Sequence, residues 1–235
     1  MICNAAIARG NWRQVVDENG IESADFYWKP NNLALSGYDK IDQRLSRNPK
    51  PYVFNHMEVN RGICQKTCLI RSLQTYYDSN EAAKREGYSV FDTTPTTFVI
   101  AKNSEDNLNL NMFMHRFKEL SRGGSKRERV PQKHCEQNMW LVKPAAMNQG
   151  RGIEIFRNMK EINDFIFLRN QSNAYWVIQK YVEKPYLFFG RKFDIRMWVV
   201  LTEDFRIYIY REGYVRTSSS NYNLRDKNNY VHLTN

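Results

Sequence analysis

The 235 residues hold only four cysteines and seven prolines, and no window approaches the roughly 18–20 continuous apolar residues of a membrane-spanning helix. The shortage of cysteine excludes a disulfide scaffold, because Cys3, Cys64, Cys68 and Cys135 are too few and too scattered. Cys64 and Cys68 stand four apart, on one face if that stretch is helical. A zinc site would need partners at ligand spacing, and His56, His115, His134 and His232 supply no H-x₃₋₅-H pair. The cysteines therefore read as reduced thiols of a cytosolic protein. The first twenty residues include Arg9, Trp12, Arg13, Asp17 and Glu18, with no apolar stretch for a secretory signal. Also missing are a Walker loop, a dinucleotide G-x-G-x-x-G, an internal repeat and a low-complexity run.

What is present is a chain able to build a core. It is 42% hydrophobic and 14% aromatic, which offsets ordering entropy that a disordered chain could not. Lys and Arg number 35 against 25 Asp and Glu, a formal charge of +10. That balance favours an acidic partner (nucleic acid, an anionic membrane surface or an acidic polypeptide), and it fits a basic solvated surface equally well.

Residues 12–60 are punctuated by Lys29-Pro30-Asn31-Asn32, Ser36-Gly37 and Asn48-Pro49-Lys50-Pro51, so they read as loops and short strands, with Pro51–Phe54 the best strand. No Gly or Pro interrupts Lys66 to Arg85. Leu69, Leu73, Tyr76 and Tyr77 recur at helical spacing there, predicting one amphipathic helix that ends at Gly87. Thr96–Ala101 predicts a buried strand, and Leu110, Phe113, Met114 and Phe117 a second helix to Leu120. Ser121–Arg129 is a loop with a charge cluster. Beyond it, Trp140–Pro144 and Ile153–Phe156 predict strands about a glycine loop, Ile162–Ile166 a helix, and Tyr175–Val182 a strand. Lys192–Leu201 and Phe205–Tyr210 then predict two strands around Thr202-Glu203-Asp204. Strands alternating with helices, plus hairpins, indicate a mixed α/β or α+β protein.

Three segments carry chemistry. In Arg191–Leu201, alternation puts Phe193, Ile195, Met197, Val199 and Leu201 on one face as a core stripe, and Lys192, Asp194 and Arg196 on the other. Two cations beside one carboxylate suit a phosphate or carboxylate ligand if covered, and an edge strand with a wet outer face if not. Lys143 precedes Gly150-Arg151-Gly152, where glycines let backbone N–H groups approach a phosphate, although a plain turn fits as well. Gln179-Lys180-Tyr181-Val182 closes a strand and can offer backbone groups and an amide to an adenine edge.

Taken in order, Trp140–Pro144, Gln149-Gly150-Arg151-Gly152-Ile153, Gln179–Val182, Arg191–Arg196, Tyr214-Val215-Arg216 and His232-Leu233-Thr234-Asn235 resemble the tubulin tyrosine ligase-like family. Asn55-His56, Lys66 and Thr94–Phe98 resemble its amino-terminal part. The likeness is dense from Trp140 to Asn235 and looser before Thr97.

The resemblance implies an α+β, ATP-grasp-like fold, with an amino-terminal lobe over 1–95, a central lobe over 96–183 and an incomplete carboxy-terminal lobe from 184 to 235. It implies ligation of a free amino acid to a protein carboxylate, chiefly on the acidic tails of tubulin in microtubules, through an acyl phosphate made from ATP with Mg²⁺. By the same resemblance Lys143, Gln149, Arg151, Gly152 and Ile153 would sit at the nucleotide phosphates, and Gln179, Lys180, Tyr181 and Val182 at adenine. Lys192 and Asp194 would meet ribose and phosphate, and Thr234 and Asn235 the γ-phosphate region. Arg196 and Arg216 would serve as catalytic arginines, binding the transferred phosphoryl group or a carboxylate. The setting implied is the cytoplasm and cytoskeleton, with the cilium among its places, and neither membrane nor nucleic acid as partner. The family's metal ligands, an Asp and a Glu-x-Asn, have no counterpart here, so the expectation is an inactive amino-terminal fragment. A nucleotide- or tubulin-binding module without catalysis is the alternative, with a nucleic-acid binder behind it.

Overall fold

The computed structural model describes residues 2–15, 24–28, 43, 46–47, 53–57, 60–102, 108–122, 137–147, 149–169, 174–226 and 228–234. Among expected features, residues 29–32, 36–37, 48–52 and 123–129, Cys135 and Asn235 lie outside that set. The chain divides into two compact units, residues 1–60 and 61–235.

In the first unit, helix α1 (Ile2–Ile7) is followed by the short parallel pair β1 (Phe26–Tyr27) and β2 (Val53–Phe54). Aromatic rings hold it together: Trp12 meets Phe26 edge-on at 5.6 Å, and Tyr27 stacks on Phe54 at 5.5 Å.

The second unit begins with α2 (Arg61–Cys64), α3 (Lys66–Ser79) and α4 (Glu81–Glu86). The single helix expected from 66 to 85 is broken at Asn80, whose backbone is extended. Its side-chain oxygen accepts from Ala83 N at 3.0 Å, so a cap inside a continuous apolar pattern starts a second helix. Gly87 ends that helix in the left-handed region, at φ 70°.

Next come β3 (Thr97–Ala101), α5 (Leu108–Ser121), β4 (Trp140–Pro144), β5 (Glu154–Phe156), α6 (Met159–Asn163) and β6 (Tyr175–Lys180). The turns after α6 widen into a π-helix through Arg169. Four strands form an antiparallel sheet in the order β3-β6-β4-β5. Strand alternation gives its two faces different duties. Phe98, Ile100, Trp140, Val142, Trp176 and Ile178 point one way and bury against Phe113 and Phe117 of α5, with Ile162 and Ile166. The opposite face carries Thr97, Gln179, Leu141 and Ile155 in one row across the sheet, with Lys143 two residues along. Its far end is covered by α3, through Val99 against Ile70 and Val90.

Residues 187–217 build two smaller sheets. Strands β7 (Leu187–Phe188), β8 (Arg191–Arg196) and β11 (Tyr214–Thr217) pair in the order β11-β8-β7, while β9 (Val199–Leu201) pairs with β10 (Ile207–Ile209). Helix α7 (Asn229–His232) follows. The continuous strand expected over Lys192–Leu201 is therefore two strands, parted at Met197-Trp198. Up to Arg196 the partner is β11; at Trp198 it becomes the β10 side, with Tyr210 N donating to Trp198 O at 2.9 Å. Gly213 permits the switch, since a Cβ there would lie 2.6 Å from the Arg196 carbonyl oxygen. The expected core stripe is also corrected. Ile195 is 59% exposed and Val199 57% exposed, because among the described residues no element covers that face.

The end of β6 is fastened by a buried ion pair. Lys180 Nζ lies 2.5 Å from Glu183 Oε1, both side chains almost fully buried. Glu183 also accepts from Gln137 N at 2.6 Å and Met139 N at 2.9 Å, and Lys180 Nζ donates to Met139 O at 2.8 Å. Removing one partner of such a pair strands the other without water. Glu183→Ala is expected to lower unfolding stability by about 3–5 kcal/mol in urea denaturation, with Lys180→Met/Glu183→Leu together costing much less.

Candidate functional site

Strand β6 places two groups of cations at its end. The first lies on the open face of the four-stranded sheet. Lys143 Nζ donates to Gln179 Oε1 at 3.0 Å, and the Gln179 amide nitrogen donates to Thr97 Oγ1 at 2.9 Å. Lys66, at the start of α3, donates to Ala145 O at 3.3 Å and Met147 O at 2.5 Å, on the connection that follows β4. Burial, and then the nearby Lys66 charge, lower the pKa of Lys143 to about 8. Lys66 is itself lowered by burial.

The connection from β4 to β5 turns on Gln149, Gly150 and Gly152, all with positive φ. Gly152 leaves no room for more: at φ 69° an added Cβ would lie 3.0 Å from Pro144 Cγ and 3.2 Å from Met147 Sδ. Arg151 donates to Gln149 Oε1 at 2.9 Å inside this turn. Asn229 Nδ2 of α7 donates to Ile153 O at 3.2 Å, tying the turn to the carboxy-terminal segment.

The second group starts at Tyr181. Lys192 Nζ stands 4.1 Å from the centre of the Tyr181 ring, and burial lowers the lysine to about 8. The Tyr181 hydroxyl meets His232 Nδ1 at 2.9 Å. His232 Nε2 lies 2.8 Å from Asp226 O, a carbonyl that can only accept. The imidazole is therefore protonated at Nε2, and Tyr181 donates to Nδ1. Burial holds the His232 pKa below its ordinary value.

Two residues beyond Lys192 on the same strand face, Asp194 stands opposite Arg216 in the β8–β11 ladder. Arg216 Nε lies 3.2 Å and 3.0 Å from the two carboxylate oxygens, and its Nη2 bonds the nearer one. Burial alone would raise Asp194. Hydrogen bonds from Arg216 and Thr234, with the charges of Arg216 and Arg196, outweigh it and hold the carboxyl below the usual range.

Most of the residues named from sequence thus fall into these two groups. Lys143, Gln149, Arg151, Gly152, Ile153 and Gln179 lie on the sheet face or its turn. Lys192, Asp194, Arg216 and Thr234 lie about β8, with Arg196 exposed on the same strand. Lys180 differs: its ammonium is turned to the opposite face and spent on Glu183. The amides of Lys180 and Tyr181 also donate within the protein, to Thr96 O and Met139 O. Val182 follows them, and among the described residues its backbone has no hydrogen-bond partner. Lys66 and Thr97 were not singled out for a role. Both belong to the stretches that resemble the family's amino-terminal part, but Lys66 opens a helix far along the chain from Lys143 and Thr97 sits in an apolar strand, so spacing assigned neither a role. Among the described residues no three His, Cys, Asp or Glu side chains stand together as a metal site, and no helix is long and apolar enough to cross a membrane.

A sequence model of the Tubulin-tyrosine ligase family matches residues 44–235, well over half of the chain. The chain belongs to this family. Tubulin glycylase 3A of Drosophila melanogaster is 45% identical over 101 residues, covering 42% of this chain and 10% of that protein. Human "Probable tubulin polyglutamylase TTLL2" is 28% identical over 222 residues, 93% of this chain and 31% of the relative. "Probable tubulin polyglutamylase ttll-9" of Caenorhabditis elegans is 25% identical over 232 residues, 97% of this chain and 49% of the relative. The chain thus spans half or less of the length of the curated relatives it matches.

Two outcomes follow from the geometry. Gly152→Ala forces a side chain into the left-handed region and against Pro144, and is expected to destabilise by about 1–2 kcal/mol, measured by thermal unfolding. His232 gives the second. Its folded pKa is depressed, so in the window below 6.5 the unfolded chain binds more protons. Stability is fully present above 6.5 and is lost as pH falls through it. Urea midpoints at pH 7.5 and 5.5 should differ more for the wild type than for His232→Gln.

Proposed function

We propose that this chain binds the triphosphate of ATP and is the nucleotide-holding part of a ligase that joins an amino acid to a carboxylate of tubulin. The observation that carries the reading is the state of Lys66, Lys143 and Lys192. All three have lowered pKa values from burial, and among the described residues their partners are carbonyl oxygens, an amide oxygen and a ring face, not carboxylates. Desolvated cations without counter-ions suit an anionic ligand, and three of them suit several phosphates.

Within that reading the residues divide the work. Lys143 and Lys66, with the Gln149–Ile153 turn, neutralise and cover phosphates, while Gln179 to Val182 hold the base edge, Lys180 through its backbone alone. Lys192 and Asp194 orient ribose and phosphate, and Thr234 and Asn235 bound the terminal phosphate. The bound ATP supplies a phosphoryl group that activates a carboxylate as an acyl phosphate and leaves as ADP; the amine of a free amino acid then attacks the acyl carbon, forming the amide and releasing phosphate. Arg196 and Arg216 would stabilise the charge gathered there by preorganised donors. Arg216 must first exchange its carboxylate partner for the phosphoryl group. The lobes would then divide near residues 95 and 183, as in an ATP-grasp arrangement. The +10 charge suits acidic tubulin tails on microtubules, in the cytoskeleton and cilium. Among the described residues no three His, Cys, Asp or Glu side chains stand together to hold Mg²⁺.

A second reading, nucleotide binding without transfer, draws support from the Arg216–Asp194 pairing, which leaves that guanidinium engaged. One experiment separates the two. ATP binding is measured by calorimetry, and incorporation of labelled glutamate, glycine or tyrosine into microtubules is followed in the same sample. Binding with incorporation supports the ligase; binding without incorporation supports the module; no binding defeats both. Lys143→Ala is expected to weaken ATP at least tenfold, and wild-type affinity to fall several-fold as pH rises through about 8, where Lys143 and Lys192 lose their protons.

A further inference from the structure

The amide of Gln179 is held at both ends by groups that permit one orientation. Thr97 Oγ1 lies 2.6 Å from the carbonyl oxygen of Pro95, which can only accept, so the hydroxyl's single proton goes there. The same oxygen must then accept from its other neighbour at 2.9 Å, which makes that neighbour the Gln179 NH₂. At the opposite end Lys143, a donor only while charged, meets the Gln179 oxygen at 3.0 Å. The two ends assign the amide independently and agree. Thr97 is 3% exposed and stands directly across the β3–β6 ladder from Gln179, so water does not compete for the threonine hydroxyl.

The consequence concerns what a base placed against Gln179 would meet. The amide cannot flip, so its oxygen stays on the Lys143 side with one lone pair open to a base, while one of its two N–H groups is spent on Thr97. A purine carrying a 6-amino group brings the matching donor. A 6-keto group would bring a second acceptor with no proton between the two, and a bare C–H would leave the bond unmade. We propose that Thr97 is a positioning residue that sets the purine selectivity of the site by locking Gln179 with its oxygen toward the ligand. The proposal rests on the nucleotide reading above and adds to it a residue that touches no ligand.

The lock has two parts, and they fail under different conditions. Lys143 orients the amide only while it is an ammonium, and burial brings its loss of charge down to about 8. The charged group acting on Lys143 is Lys66 of α3. Lys180 of β6 and Glu154 of β5 belong to the opposite face of the sheet. Above that pH a neutral Lys143 amine accepts as readily as it donates, so the orientation then depends on Thr97 alone.

The test compares ATP with purine riboside triphosphate, the same nucleotide with hydrogen replacing the 6-amino group, so phosphate contributions cancel in the affinity ratio. Binding is measured for wild type, Thr97→Val and Thr97→Ser at about pH 7 and about pH 10, on either side of the lysine's titration. Wild type and Thr97→Ser are expected to favour ATP at least tenfold at both pH values. Thr97→Val keeps the shape of the side chain without the hydroxyl. It should hold the preference at the lower pH and fall within about threefold at the higher. A Thr97→Val protein that keeps its full preference at high pH, or a Thr97→Ser protein that loses it, overturns the proposal. Wild type binding both nucleotides equally overturns it too, while leaving the nucleotide reading intact. Wild type that binds neither nucleotide overturns that reading itself, so the two failures are told apart.

Discussion

The buried pair between Lys180 and Glu183 is the joint on which the second unit turns. Two charges are removed from water, and their mutual attraction offsets that cost only because every remaining site is satisfied. Glu183 takes two backbone amides from the approach to β4, and Lys180 takes a carbonyl from the same segment. The pair thereby fixes where β4 enters the sheet relative to where β6 leaves it. Gln179 and Tyr181 flank Lys180 and inherit that placement. One turns to the face that carries Lys143, and the other leads to Lys192 and His232. Tyr222 adds a further tie, donating to Glu183 O at 2.6 Å. A well-packed apolar substitute could match the stability of such a pair, but it would not bond those amides.

The sheet also shows how one strand can serve two purposes. Alternate residues of β3, β4 and β6 face a dry aromatic core, where Phe113 meets Trp140 edge-on at 5.0 Å. The residues between them include Thr97, Gln179 and Lys143, polar groups that would be costly in that core and are instead bonded to one another on the other face. A one-residue slip of any of these strands would exchange the two sets, so core packing and site chemistry enforce the same register.

Much of the fold was legible because periodicity reports burial. The stripes of α5 and the alternation of β4 and β6 announce elements packed on one or both faces. The break at Asn80 was hidden because its cause is a single side-chain hydrogen bond within an unbroken apolar pattern. Lys192–Leu201 misled for a different reason. Strand alternation says which residues share a face, but not whether anything covers it, nor where the pairing partner changes. In the site, Lys143, Lys192 and Asp194 could be picked out by charge in apolar strands. The engagement of Lys180 by Glu183 depends on burial, and the contribution of Lys66 on a contact between distant parts of the chain, neither of which sequence spacing encodes. Thr97 looked like ordinary strand filling, since threonine is favoured there whatever its hydroxyl does.

The β9–β10 ribbon has a bearing on how the molecule behaves as a material. Ile207, Tyr208, Ile209 and Tyr210 are consecutive and all exposed, as are Val199 and Val200 opposite them. Apolar side chains therefore emerge from both surfaces of a two-stranded ribbon whose outer edges carry no further strand among the described residues. An edge of that kind offers unpaired backbone groups beside a sticky surface, the combination that templates edge-to-edge growth. Loss from solution by this route needs no unfolding, so it scales with how often two molecules meet. Dilution, or a charge placed on the outer strand, protects such a protein, because both act on the encounter between native edges and not on unfolding.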